Sequence, residues 1–157
     1  MTTSTRRSTL AIIDTNVLVY AVDSESKHHA PSKTLLLQAA DPGAALCVAP
    51  QNLAEFYAVV SDRRRVRNPL APTAAIQAIN DLLALPGLAL LTVPIDVTKR
   101  FIELLHRHAV VAQHAFDAYL VATMLGNGVT RIHTFNAAHF DPFDELEVLV
   151  PQSPARA

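Results

Sequence analysis

The sequence predicts an α/β fold of three layers, α/β/α, in which helices cover both faces of a central parallel sheet of four to five strands. Short, continuously apolar runs recur along the chain, as expected of strands that are buried on both faces. Helical patterns separate these runs, and this alternation is typical of parallel strands joined by helical crossovers. With 157 residues the chain is long enough for one domain with a sizeable core. We assign that domain to residues 1–150 and expect a disordered tail at 151–157.

Each predicted strand is a short apolar run that a polar or turn-forming residue closes. The run TLAII ends at Asp14, ALCVAP ends with Pro50, and VTRIHTF is followed by Asn136. LALLTVP is a further buried strand, and LEVLV near the C-terminus predicts an edge strand. The predicted strands are therefore 9–13, 45–50, 88–94, 129–135 and 146–150.

The predicted helices fill the segments between the strands. Pro31 stands in the first turn of its helix, where proline is tolerated. Pro86 and Gly87 close a later helix, and Gly126 to Gly128 end the last long one. The predicted helices are 16–23, 28–40, 52–65, 72–85, 95–108 and 115–128, and NAAHF at 136–140 predicts a short turn.

Composition and charge exclude several classes of protein. No apolar run approaches the ~20 residues that a transmembrane helix needs, so we expect no membrane association. The formal net charge of −1 gives the whole chain no general attraction for nucleic acid. Any nucleic-acid partner would have to be held locally, at the basic cluster of Arg63, Arg64, Arg65 and Arg67. That cluster could equally be a solvated helix end, where positive charge is favourable.

The single cysteine and the N-terminal segment predict a cytoplasmic protein. Cys47 cannot form an internal disulfide, which fits a reducing compartment. The apolar N-terminal run resembles a secretion signal, but Asp14 and Asn16 interrupt it. Half of the residues are hydrophobic, and the apolar faces of TLLLQAA and NLAEFYAVV exceed what one core obviously needs. We therefore expect a homodimer.

Polar side chains follow the predicted strands at their carboxyl ends, where ligand sites of open parallel sheets lie. Asp14 follows the first strand, Glu55 comes soon after the second, Asp117 opens a late helix, and Asn136 follows the strand 129–135. Each has a local explanation as well. Asp14 and Asn136 could cap helices or turns, Glu55 could form a capping box with Asn52, and Asp117 could favour its helix dipole.

Together, these acidic residues predict a divalent cation. Glu55 and Asp117 are embedded in apolar sequence, so we expect both to face the protein or a cleft. Three carboxylates that meet in one place repel each other unless a cation neutralises them. Hard oxygen ligands suit Mg²⁺ or Mn²⁺, and no CxxC or HExxH motif indicates zinc.

The chain resembles the PIN-domain ribonucleases, most nearly the VapC toxins of type II toxin–antitoxin modules. Three segments carry the resemblance in order and spacing: IIDTNVLVYAVD, AEFYAVVSD and FDAYLVATMLGNGVTRIHTFNAAHF. The resemblance extends from about Leu10 to Val150. It implies a PIN-like fold and a Mg²⁺- or Mn²⁺-dependent endoribonuclease that acts on tRNA or another structured RNA. It also implies inhibition by a cognate VapB-type antitoxin.

The resemblance also assigns the site residues. It places the family's acidic and catalytic positions on Asp14, Glu55 and Asp117, and the fourth position on Asn136, where many members carry aspartate. The amide removes one negative charge and weakens the case for a second metal ion. His139 occupies a position that is often acidic, and it receives no role. The residues expected to orient the carboxylates are Thr15, Asn16 and Thr134.

Other functions fit the sequence less well. A receiver domain needs an acidic pair after its first strand, an aspartate on a middle strand and a late lysine, which this sequence lacks. It also lacks the glycine-rich loops of nucleotide-binding proteins. A non-catalytic PIN-like module that binds RNA or acts as a scaffold is favoured by Asn136 alone. His114, one helical turn before Asp117, could contact substrate.

Overall fold

The computed structural model describes residues 9–155, and a five-stranded parallel sheet forms its centre. The strands are β1 (Ala11–Ile13), β2 (Leu46–Val48), β3 (Leu88–Leu90), β4 (Arg131–His133) and β5 (Glu147–Leu149). They lie in the order β3-β2-β1-β4-β5, and every neighbouring pair is parallel. The predicted parallel sheet of four to five strands is confirmed, including the edge strand near the C-terminus.

Helices connect the strands and pack on both faces of the sheet. The helices are α1 (Thr15–Val22), α2 (His29–Gln38), α3 (Pro50–Val60), α4 (Pro72–Leu83), α5 (Val97–His108), α6 (His114–Gly126) and α7 (Ala137–Phe140). Residues on successive positions of a strand point to opposite faces. Ile12 and Cys47 accordingly belong to a core shared with α5 and α6, whereas Ile13 and Val48 belong to a core shared with α1 to α4. The three-layer α/β/α arrangement is therefore confirmed.

The strand order creates a crevice beside β1. The chain moves outward from β1 to β2 and β3, then returns to place β4 on the other side of β1. Helices of the two halves leave the sheet in opposite directions at this reversal, and ligands of open α/β sheets bind in the resulting crevice. Asp14 stands at that position, and its backbone N–H donates to the carbonyl of His133 at 2.9 Å.

Each of the five strands spans three residues and is shorter than predicted, and two other predicted elements differ in extent or type. The helix predicted over 52–65 ends at Val60, because Asp62 forms a turn in which its carboxylate accepts a hydrogen bond from the backbone N–H of Arg64 at 2.8 Å. The arginine cluster therefore lies in a loop and not on a helix end. The turn predicted at 136–140 is a short helix, Ala137–Phe140, whose Phe140 is buried in the core.

The apolar faces that motivated a homodimer are mostly used within the chain. Leu36, Leu53 and Tyr57 pack against the core beneath α1 to α4, and Leu37 is the exposed member at 65 %. Large exposed apolar side chains occur elsewhere, and Ile95 is the most exposed of them. The homodimer therefore stays a prediction, and the apolar faces of these two segments no longer support it.

Cys47 is fully buried in β2, as its apolar surroundings predict, and burial raises the pKa of its thiol to about 12. Within residues 9–155, no helix has the length and apolar character that crossing a membrane requires. Residues 151–155 form no helix or strand, while 1–8, 156 and 157 lie outside the described residues. The limits of the domain and its tail stay predictions.

Candidate active site

Asp14 stands at the junction of β1 and α1 and is the N-cap residue of α1. It is only 9 % exposed. Its Oδ1 accepts a hydrogen bond from the backbone N–H of Thr15 at 2.8 Å. Its Oδ2 accepts from the Asn16 amide at 3.0 Å and from the Thr134 hydroxyl at 2.8 Å. The capping explanation therefore accounts for one of three hydrogen bonds.

The loop after β4 is tied to the start of α1 through Asn16 and Thr134. The Asn16 amide donates to the Thr134 hydroxyl at 3.1 Å, and its oxygen accepts from the backbone N–H of Phe135 at 3.2 Å. The Thr134 hydroxyl also accepts from the backbone N–H of Asn136 at 3.0 Å. These bonds fix the position of the Asp14 carboxylate relative to both strands.

Glu55 projects from α3 toward the same crevice. Its Oε2 accepts from the Thr15 hydroxyl at 2.9 Å, and its Oε1 accepts from the Gln51 amide at 2.8 Å. The same Gln51 nitrogen donates to the Phe116 carbonyl at 3.0 Å, which links α3 to the residue before Asp117. The three residues expected to orient the carboxylates, Thr15, Asn16 and Thr134, therefore all contact one of them.

Glu55 does not form the capping box that its spacing from Asn52 allows. Instead, the backbone N–H of Ala49 donates to the Asn52 side-chain oxygen at 2.8 Å. Asn52 also donates from its amide to the Thr15 hydroxyl at 3.3 Å. Asn52 therefore caps the N-terminus of α3, and the carboxylate of Glu55 faces the crevice.

Asp117 lies in the first turn of α6, consistent with a favourable interaction with the helix dipole. Its Oδ2 is 3.2 Å from Nδ1 of His114 and 3.4 Å from Nδ1 of His139. His139, which received no role from the sequence analysis, lies on α7 and contacts Asp117, one of the predicted site residues.

Burial dominates the electrostatics of the two aspartates. It raises the pKa of the Asp14 carboxyl, and the charges of Asp117 and Glu55 raise it further, against the hydrogen bonds from Thr134 and Thr15. Burial also raises the pKa of Asp117, while His114 and His139 act in the opposite direction. The charges of Asp117 and Glu55 act on Asp14, and the charge of Glu55 acts on Asp117, because these carboxylates lie close together.

One open cavity at the carboxyl end of the sheet collects the predicted site residues. Asp14, Glu55 and Asp117 line it together with the exposed side chain of Asn136 and with His139. Residues that are far apart in the sequence therefore meet at the crevice beside β1. The predicted residues contribute three carboxylates and one neutral amide, and the cavity is also lined by Asp23, at the end of α1, and by Arg65.

The structure divides the arginine cluster. Arg65 lines the cavity. Arg63 and Arg64 line a neighbouring depression, and Arg67 pairs with the exposed Glu25 at 3.4 Å. The four arginines thus do not act as one surface toward the site.

Besides Asp23, sequence reasoning missed Gln51, Phe116 and His139, which lie in the cavity or beside it. Gln51 bridges two elements of the site, and its spacing of four residues from Glu55 on one helix could have indicated the contact. Phe116 lines the cavity with 66 % of its surface exposed, which is unusual for phenylalanine, a residue that is most often buried. No signal in the sequence indicated that His139 would approach Asp117.

The donor set fits a hard divalent cation. The groups that converge are carboxylate oxygens, which Mg²⁺ and Mn²⁺ prefer. Burial and mutual repulsion make the ionised state of Asp14 costly, and a cation would relieve that cost.

Comparisons with known proteins agree with the resemblance found in the sequence. A family model, the PIN domain, matches residues 11–146. Ribonuclease VapC43 of Mycobacterium tuberculosis is 33 % identical over 118 residues, which cover 75 % of this chain and 80 % of the relative. A VapC ribonuclease of Mycobacterium bovis matches to the same extent.

Solved structures share the fold at lower identity. VapBC2 from Rickettsia felis, bound to a promoter DNA fragment, has a TM-score of 0.66 and 16 % identity, covering 91 % of this chain and 99 % of that one. VapC20 of Mycobacterium tuberculosis, a Sarcin-Ricin loop cleaving toxin, has a TM-score of 0.59 and 20 % identity, covering 82 % and 92 %. A toxin-antitoxin complex from Klebsiella pneumoniae has a TM-score of 0.57 and 18 % identity, covering 92 % and 99 %. This chain belongs to the PIN-domain family and, within it, to the VapC ribonucleases.

Proposed function

We propose that this ribonuclease is the toxin of a type II toxin–antitoxin module and cleaves RNA with the help of Mg²⁺ or Mn²⁺. The observation that carries the proposal is the meeting of Asp14, Glu55 and Asp117 in one cavity at the crevice beside β1. Carboxylates that converge in a partly buried cavity are typical of sites that hold a divalent cation for phosphodiester hydrolysis.

Asp14, Glu55 and Asp117 are the proposed ligands. When bound, a divalent cation would neutralise charge on the phosphodiester and make an attacking water more acidic. Asp14 is held in one orientation by three hydrogen bonds, and Glu55 by two, so neither has to reorganise when substrate binds. Glu55 or Asp117 would accept the proton of the water. The amide of Asn136 would donate a hydrogen bond to a phosphate oxygen.

The cavity rim supports a single-stranded or flipped-out segment of a structured RNA, tRNA included, as substrate. Phe116 exposes its ring beside Asp117, where a base could stack on it. Arg65 is the member of the arginine cluster that can reach a phosphate there. Arg65→Gln should therefore flatten the salt dependence of RNA affinity, whereas Arg64→Gln, which changes the neighbouring depression, should leave the slope nearer to that of the wild type.

The proposed partners are a cognate VapB-type antitoxin and a second copy of this chain, in the cytoplasm. The toxin-antitoxin complex from Klebsiella pneumoniae shares the fold and supports the first by analogy. The exposed apolar side chains of Ile95 and Val111 offer surface for a partner. Light scattering of the purified chain at several concentrations would report the dimer.

Cleavage of a labelled RNA pool tests the proposed activity. We expect fragments with Mn²⁺ or Mg²⁺, none after chelation by EDTA, and a loss of cleavage of at least about 100-fold in Asp14→Asn, as for removal of one electrostatic group from a site. Glu103→Gln, an exposed acidic residue on α5, is the matched control. Equal cleavage by a folded Asp14→Asn variant would contradict the proposal. Sequencing the fragment ends would identify the RNA and the cleaved bond.

A further inference from the structure

Asp117 has two imidazole neighbours that the proposed Mg²⁺ site does not use. Its Oδ2 lies 3.2 Å from Nδ1 of His114 and 3.4 Å from Nδ1 of His139. The two rings meet edge to face, with centroids 5.0 Å apart. His114 begins α6 and His139 lies on α7, so two separate elements converge on one carboxylate oxygen.

The spacing of these three side chains fits a single metal ion. Their potential ligand atoms all lie within 4.8 Å of one another. Ligands that sit about 2.0–2.2 Å from a tetrahedral ion lie roughly 3.3–3.6 Å apart. The 3.4 Å separation of Asp117 from His139 falls in this range, and the 3.2 Å separation from His114 lies just below it. The histidine side chains are 45 % and 41 % exposed, so small rotations can bring both nitrogens to an ion.

The chemistry of the three ligands differs from that of the proposed Mg²⁺ site. Two imidazole nitrogens and one carboxylate oxygen suit zinc and neighbouring transition metals, whereas Mg²⁺ prefers oxygen ligands and water. We propose that His114, Asp117 and His139 bind a transition-metal ion of the Zn²⁺ class and discriminate against Mg²⁺. Three protein ligands leave a fourth position open to water or to a phosphate oxygen.

The two sites would share Asp117, and in this respect the inference rests on the proposed function. Among the described residues, the contacts of the Asp117 carboxylate with donor groups all involve Oδ2. Oδ1 is therefore left for the ion held with Asp14 and Glu55. Asn136 is neutral and brings no carboxylate to the site. The two imidazoles would supply nitrogen ligands in its place.

Titration calorimetry of the metal-stripped full chain with Zn²⁺ tests the inference. Mutation of a residue that only hydrogen-bonds to a metal ligand typically changes metal affinity by about 10–100-fold. Loss of a direct ligand in His114→Ala or His139→Ala should therefore weaken Zn²⁺ binding by at least about tenfold. His106→Ala, an exposed histidine of α5, is the matched control and should bind like the wild type. A large excess of Mg²⁺ should not displace the ion, and Co²⁺ as a probe should show the absorption of a nitrogen-ligated site.

Three outcomes would overturn the inference: no Zn²⁺ binding, Zn²⁺ affinity unchanged in both histidine variants, or displacement by Mg²⁺. Thermal unfolding of each variant without metal would show that it is folded. Failure here is separable from failure of the proposed function. A wild-type chain that cleaves RNA with Mg²⁺ but binds no Zn²⁺ would refute only the histidine site, whereas absence of cation-dependent cleavage would refute the proposed activity.

Discussion

Asp14→Asn removes one charge from the site while it keeps the shape of the side chain. The amide oxygen can keep the hydrogen bonds from Asn16 and Thr134, but the new NH₂ group would face the backbone N–H of Thr15. Loss of one hydrogen bond costs about 1 kcal/mol. Burial raises the pKa of the Asp14 carboxyl group, which means that its ionised form destabilises the fold. Replacing this group with a neutral amide therefore stabilises the fold and offsets the lost hydrogen bond. Without metal, the variant should therefore unfold within about 4 °C of the wild type.

Mg²⁺ should raise the unfolding temperature of the wild type much more than that of Asp14→Asn. A ligand that binds only the folded state stabilises it by about 2.7 kcal/mol when its concentration is 100 times its dissociation constant. For a chain of 157 residues, that free energy raises the unfolding temperature by roughly 5–10 °C. Asp14 is the one predicted acidic ligand that is almost completely buried, and the variant should lose most of this rise.

Calorimetric unfolding measures both effects. Each protein is unfolded after EDTA treatment and again with saturating Mg²⁺, with ionic strength held constant by NaCl because added salt alone screens surface charges. The Glu103→Gln control should gain as many degrees as the wild type. A rise of equal size in Asp14→Asn would show that the ion binds elsewhere, and no rise in the wild type would refute a Mg²⁺ site at these carboxylates.

Three further predictions concern neighbouring groups. Thr134→Val should lower the free energy of unfolding by about 1–3 kcal/mol in urea denaturation. The Asp14 carboxylate would lose the donor hydroxyl, and the backbone N–H of Asn136 would lose its acceptor. Thr134→Ser keeps the hydroxyl and should not lower it. Cys47, with its pKa of about 12, should react with a thiol reagent at pH 8 only when the chain unfolds. Burial, and then Arg131, lower the pKa of His133 below 6.5, so the unfolded state binds more protons below that pH. Stability should therefore decrease as pH falls below 6.5, and His133→Gln should flatten the decrease.

The sequence predicted the fold and the acidic residues because both depend on local patterns. Each strand is a short apolar run, and Asp14, Glu55 and Asp117 follow strands or begin helices in a way that local sequence reveals. The sequence did not indicate the order of the strands. The crevice beside β1 exists because β4 returns to the far side of β1, which depends on long-range packing.

The errors arose where one residue decides between two local structures. Asp62 accepts a hydrogen bond from the backbone of Arg64 and ends α3, although the apolar pattern before it and the arginines after it are both compatible with a longer helix. The contact of His139 with Asp117 was unpredictable for another reason. It depends on the packing of α7 against α6, and no periodicity in the sequence encodes the distance between two helices.

Charge balance connects the proposed site with the inferred one. The charges of Asp23 and Arg65, which also line the cavity, offset each other, and the ionised carboxylates of Asp14, Glu55 and Asp117 carry three negative charges. One divalent cation therefore leaves a net negative charge that repels a phosphodiester. A second divalent cation on Asp117 and the neutral imidazoles would leave one positive charge, which matches the single negative charge of the phosphodiester. Asn136 contributes no charge, so the sign of this balance depends on whether His114 and His139 hold an ion. In a chain with aspartate at that position, two ions would leave no net charge, and the amide would therefore favour binding of RNA once both ions are present.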